Sequence, residues 1–131
     1  MDSALPQPEI GDDSVSAQGQ GCMGMTSAYT SYGSCNEQES LEVLTQATDM
    51  GITFWDTSDA YGPFTNEGLL GEWSQQTGQP GEIFLATKFG VAWIEGKMRI
   101  LGDIAYVKRA CGESLAAQAD ADTKRPPGLS N

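Results

Sequence analysis

Apolar residues recur along this chain with two different spacings, and the switches between them outline alternating strands and helices. After Asn36 and Glu39, spaced as a capping box, Leu41, Leu44 and Ala47 follow at helical intervals. Gly51 then closes that helix, since glycine tolerates the left-handed conformation of a C-terminal cap. Ile52-Thr53-Phe54-Trp55 is a short β-favouring run that leads into a polar loop. Beyond the loop, Phe64 and Thr65 are expected to staple and cap a helix carrying Leu69, Leu70 and Trp73. Gly78 to Gly81 reads as a turn. Ile83-Phe84-Leu85-Ala86-Thr87 is the clearest strand, apolar over four residues as if buried on both faces of a parallel sheet. Asp103 caps a third helix running to about Ala117, with Val107, Ala110, Cys111, Ser114 and Leu115 on one side. Another strand is expected within Ser14 to Gly21. Gln18 and Gln20 interrupt it, so it is either an edge strand or a poorly made one.

The rhythm is strand then helix, three times over, with connections that set the strands parallel. Three such units are too few to close a barrel of eight, and they leave two unpaired sheet edges. Marginal stability is the expectation.

Composition adds boundaries. At 131 residues the chain is at most one domain, and 39% hydrophobic content with three tryptophans supports one modest core. Residues 1–13 read as a flexible N-terminal tail, 14–115 as the folded part and 116–131 as an unrelated, disordered tail. Seven basic against eighteen acidic residues give a net charge of -11, and no lysine or arginine precedes Lys88. Such a chain is repelled by phosphate backbones and anionic bilayers, so neither nucleic acid nor membrane is an expected partner. The first residues have no signal-peptide pattern and no window is apolar enough to span a bilayer, which points to the cytoplasm. Cys22, Cys35 and Cys111 are an odd set without CxxC spacing, read as reduced thiols ahead of disulfides or metal ligands; no metal is expected. The chain contains no histidine.

Candidate chemistry gathers where strand ends meet loops. Asp56 directly follows the Ile52 to Trp55 run, Tyr61 lies five residues later between two small residues, and Lys88 ends the next strand. In α/β folds that rim is where ligands bind, because side chains from neighbouring strands converge there. A free tyrosine, with a pKa of about 10, is a poor acid at neutral pH. A nearby ammonium favours the phenolate, and a carboxylate keeps the ammonium charged and in place. The trio could therefore protonate an oxygen on which negative charge develops. Each residue also has a plainer reading: a turn-starting aspartate, a packed ring before Pro63, and a solvated strand end. Cys22 and Cys111 suit small apolar filling better than reactivity, and Trp55 and Trp73 suit a core.

Five blocks carry a resemblance: Gly21-Cys22-Met23-Gly24-Met25, Phe54-Trp55-Asp56-Thr57-Ser58-Asp59-Ala60-Tyr61-Gly62-Pro63, Asn66-Glu67-Gly68-Leu69-Leu70-Gly71, Ile83 to Gly90, and Tyr106 to Leu115. In order and spacing the chain resembles the aldo-keto reductases, NADP-dependent oxidoreductases, and among them the fungal and plant aldehyde reductases. The resemblance implies an α/β fold, the first three β/α units or so of an incomplete (β/α)8 TIM barrel with disordered ends. It implies NADPH-dependent reduction of an aldehyde or ketone, with a small-molecule carbonyl as partner. Tyr61 would be the general acid, Lys88 its partner and Asp56 the orienting carboxylate. Gly21, Cys22 and Met23 match the loop beside the nicotinamide of NADP(H), and Asp56 lies near the same ring. Two departures follow. The family's catalytic histidine has no counterpart, and residues 116–127, rich in charge and proline, replace the strand that should carry it. The family's phosphate-binding residues belong to its C-terminal half. The alternative expectation is therefore a truncated, inactive remnant that could associate with a full-length relative.

Overall fold

The computed structural model describes residues 6–26, 36–62 and 64–118. Three parallel strands form the sheet that matters for function: β3 (Gly19–Gly21), β4 (Phe54–Asp56) and β5 (Phe84–Ala86), in that order. They are preceded by a small antiparallel pair, β1 (Glu9–Ile10) with β2 (Asp13–Ser14). Helix α1 (Glu37–Asp49) connects β3 to β4, and α2 (Asn66–Thr77) connects β4 to β5. After β5 the chain makes a second antiparallel pair, β6 (Val91–Ile94) with β7 (Lys97–Ile100), and then α3 (Ile104–Ala117). The sheet and helices are three successive β/α units, as the rhythm predicts.

Local signals explain most element ends. Asn36 accepts the Glu39 amide at 3.2 Å to start α1, and Asp103 accepts the Tyr106 amide at 2.9 Å to start α3. Helix α1 ends in a Schellman pattern: the Gly51 amide donates to Thr48 O and the Ile52 amide to Ala47 O. Gly51 has φ +82°, the conformation that makes glycine the residue of choice there. Strand β3 is an edge strand of three residues. Its pairing with β4 is supported by the buried Ser16 hydroxyl, which accepts the Thr53 and Phe54 amides at 2.9 and 3.0 Å.

The sheet's period of two separates core from site. Trp55 is 1% exposed and turns toward the helices, where it meets Trp73 edge-to-face at 4.7 Å. Leu41 and Leu44 of α1, Leu69 and Leu70 of α2, Cys22 and Met25 complete this core. Both indole N–H groups are satisfied, by Ile52 O and Thr45 Oγ1. Phe54 and Asp56 turn the other way, and Phe54 packs edge-to-face on Phe84.

Several expectations change. Residues 9–14, placed partly in the N-terminal tail, pair as β1 and β2, and Pro6 and Pro8 carbonyls accept the Ala17 and Val15 amides. Phe64 does not staple α2: it is 65% exposed with φ +62°. Thr65 does not cap through its side chain, because its hydroxyl donates back to Gly62 O at 2.6 Å. Strand β5 is half-buried instead of covered on both faces, and among the described residues it is an edge strand beside β4. The β6–β7 hairpin was not expected. It turns on Glu95 and Gly96, both at positive φ, the two-residue turn whose twist suits a hairpin. Of the expected C-terminal tail, Ala116 and Ala117 belong to α3 and Gln118 caps it as a buried residue, while residues from 119 onward lie outside the described residues, as do residues 1–5 and Cys35.

Candidate active site

The carboxyl ends of the three strands are level. Gly21, Asp56 and Ala86 pair across the sheet in one register, and the pairing continues into the loops. The Cys22 amide donates to Asp56 O, the Thr57 amide to Ala86 O and the Asp59 amide to Lys88 O, all within 2.9–3.1 Å. The Ser58 hydroxyl also donates to Lys88 O at 3.0 Å. Residues 56–59 and 86–88 are thus held as a short parallel extension of β4 and β5, which brings their side chains to one rim.

Lys88 is the centre of that rim. Its ammonium donates to Asp56 Oδ1 at 2.7 Å and to Thr57 O at 2.9 Å, and lies 4.7 Å from the Tyr61 ring centroid. Burial tends to lower the lysine pKa, but the hydrogen bonds and charges of Asp56 and Tyr61 outweigh it, so the value is raised. The lysine is a firm cation at neutral pH. Tyr61 is held by its main chain: its carbonyl accepts the Thr65 and Asn66 amides and its amide donates to Ser58 O. Gly62 follows at φ +88°, where a Cβ would run into the Thr26 and Thr65 hydroxyls. Only glycine lets the loop turn there.

The structure brings Asp56, Tyr61 and Lys88 together as the sequence suggests. Gly21 is exposed beside Asp56 and Met23 is half-buried in a 3-10 turn over Met23–Met25. Cys22 is different. Its thiol is fully buried in the core, its side chain does not reach the rim, and burial pushes its pKa up to about 12, with the Asp56 charge adding to the rise. Asp59 also rises through burial, with a smaller push from the Glu113 carboxylate on α3.

A buried polar layer beneath the rim was not foreseen. Asn66, fully buried, accepts the Thr57 hydroxyl at 2.6 Å and donates to Cys22 O at 2.8 Å and Thr26 Oγ1 at 2.7 Å. Glu67, also buried, accepts the Thr87 hydroxyl and the Gln118 amide, each at 2.7 Å. Polar residues in a helix's first turn are ordinary, so periodicity gives no signal that these two point inward.

A family model described as "Aldo/keto reductase family" matches residues 21–116. The chain belongs to the aldo/keto reductase family. Among relatives of this aldo/keto reductase chain is a Schizosaccharomyces pombe protein named aldo-keto reductase yakc, NADP(+), 43% identical over 114 residues. That match takes in 86% of this chain and 33% of the yeast protein, so the chain spans about a third of that relative's length. The aldo-keto reductase AKR11C1 of Bacillus halodurans, in its holo form, superposes with a TM-score of 0.70 and 29% identity, over 88% of this chain and 37% of that one. An aldo/keto reductase from Klebsiella pneumoniae in complex with NADP and acetate gives 0.59 and 25%, over 81% and 32%. The α/β architecture is that of the family's (β/α)8 barrel structures, of which the described residues form three units.

Proposed function

We propose that this chain carries the proton-donating part of an NADPH-dependent carbonyl reductase acting on an aldehyde or ketone. The observation behind the reading is Lys88: a charged ammonium held by Asp56 and Thr57 O against the face of Tyr61. When the carbonyl oxygen gains negative charge, Tyr61 gives it the phenolic proton, and the adjacent ammonium stabilises the phenolate left behind. Asp56 keeps Lys88 in position and charged throughout.

The rim is compatible with the nicotinamide end of NADP(H). Gly21 is exposed and has open space where a Cβ would stand, Asp56 offers a half-exposed carboxylate, and Met23 lies beside them. Gly21, Met23 and Asp56 are the residues we assign to the ring; Cys22 contributes main chain only. The cofactor supplies a hydride to the carbonyl carbon when bound. The names of the yeast relative and of the Klebsiella structure support NADP as that cofactor.

A second reading, a non-catalytic chain that works by association with a full-length relative, has one observation behind it: the sequence has no histidine. Absorbance of NADPH followed with an aromatic aldehyde separates the two. The reductase reading expects oxidation that falls by about two to four orders of magnitude in Tyr61→Phe. A folded chain that binds NADPH and never oxidises it supports the second reading.

A further inference from the structure

We infer that Asn66 is the positioning residue that sets Tyr61 and Lys88 in register, and that it does so through Thr57. This rests on the reading above, in which those two side chains work as a pair. The geometry is specific to one residue. The Asn66 main-chain amide donates to the Tyr61 carbonyl at 3.2 Å, which anchors the loop carrying the phenol. Its side-chain oxygen accepts the Thr57 hydroxyl at 2.6 Å, and Thr57 O is one of the two acceptors that hold Lys88. Its side-chain nitrogen donates to Cys22 O, and the Cys22 amide in turn holds the main-chain carbonyl of Asp56, the residue whose carboxylate is the other acceptor of Lys88.

Three of these bonds therefore lead to groups that place the phenol or the ammonium, and a fourth, from the side-chain nitrogen to Thr26 Oγ1 at 2.7 Å, ties Asn66 to the loop after β3. All of these side-chain bonds lie below the exposed rim, where Asn66 and Thr57 are both fully buried. Buried amides and hydroxyls are costly to leave unpaired, so the network has one arrangement and resists shifting. The Asp56–Lys88 pair itself is about half exposed, with side-chain exposures of 54% and 51%. An exposed ion pair of this kind is weakly held by itself. The buried layer supplies the rigidity that the pair lacks.

The test is the titration of Lys88 in the full chain, read from the lysine Cε resonances of protein labelled with 13C-lysine. Lys88 is assigned by the signal that disappears in Lys88→Arg. Wild-type Lys88 is expected to titrate above the ordinary lysine range. In Asn66→Ala and in Thr57→Val the midpoint is expected to fall back toward that range, while Thr57→Ser, which keeps the hydroxyl, retains the wild-type midpoint. Far-UV circular dichroism establishes which variants are folded. If Asn66→Ala does not fold, the Thr57→Val and Thr57→Ser pair decides the matter alone. A raised midpoint that survives in a folded Asn66→Ala or Thr57→Val variant overturns the role of Asn66 and leaves the catalytic reading intact. A wild-type midpoint in the ordinary range removes the Asp56–Lys88–Tyr61 unit itself, and this inference with it.

Discussion

The Lys88 ammonium donates to Asp56 of β4 and to Thr57 O of its extension, so its position depends on β4 and β5 staying level. Asp56 and Tyr61 can each be exchanged while that framework stays. Asp56→Asn keeps a hydrogen-bond acceptor and removes the charge; steady-state kinetics are expected to show a lower kcat with little change in KM. Cys22 gives a stability prediction. Its thiol ionises near 9.0 when free and near 12 in the fold, so the folded state keeps a proton that the unfolded chain loses. The corresponding stability is fully present below pH 9 and declines as pH rises toward about 12. Lys88, also raised, acts in the same direction at pH values above its ordinary 10.5. Urea midpoints measured across this range should fall, and should fall less steeply in Cys22→Ala. That Asp56, Tyr61 and Lys88 meet was legible from their places at the carboxyl ends of successive strands, where side chains converge, although each also had a plainer structural reading. The place of Asn66 was not, since only the fold reveals that it points inward.

At the level of elements, the clearest contrast is between two glycines of α2. A Cβ on Gly68 would meet nothing within 4 Å, whereas one on Gly71 would stand 2.7 Å from Ala117 O at the end of α3. Gly68→Ala should raise stability by roughly 0.5–1 kcal/mol, the ordinary gain in helix propensity. Gly71→Ala should lower it by about 1–3 kcal/mol, because a main-chain carbonyl must move to make room. Urea unfolding of the two variants side by side checks both signs. The caps of α1 and α3 and the glycine end of α1 were legible, since each depends on residues within a few positions. The start of α2 after Thr65 was legible too, but the staple and the side-chain cap were misread, because Thr65 spends its hydroxyl on Gly62 O and Phe64 is exposed. The β6–β7 hairpin escaped notice for a related reason: Lys97 to Ile100 is exposed throughout, so it has no core-facing pattern to detect.

The described residues form a short parallel sheet with helices against one face and an antiparallel pair on either side in sequence, and the candidate site is on the rim of the parallel sheet. Among the described residues every cation lies between Lys88 and Arg109, so the part that supplies Gly21, Asp56 and Tyr61 is wholly acidic in its charged groups. No described helix is long and apolar enough to cross a membrane. The strand–helix rhythm gave away the parallel order, but the depth of burial of β5 depends on neighbours that periodicity does not report. Among the described residues the hydrophobic core is the cluster around Trp55 and Trp73. Leu44→Ala, at a site with no exposure, should cost about 2–5 kcal/mol by thermal or urea unfolding. On the proposed function, a phenol backed by an ammonium completes hydride reduction of a carbonyl. The most direct test is to incubate the chain with an aromatic aldehyde and NADPH carrying deuterium on the transferred position of the nicotinamide, then weigh the alcohol by mass spectrometry. The expected product is alcohol with one deuterium on its carbinol carbon, in a yield that collapses in Tyr61→Phe. Deuterium transfer that is undiminished in Tyr61→Phe, or none at all from a folded chain with NADPH bound, would contradict the proposed function.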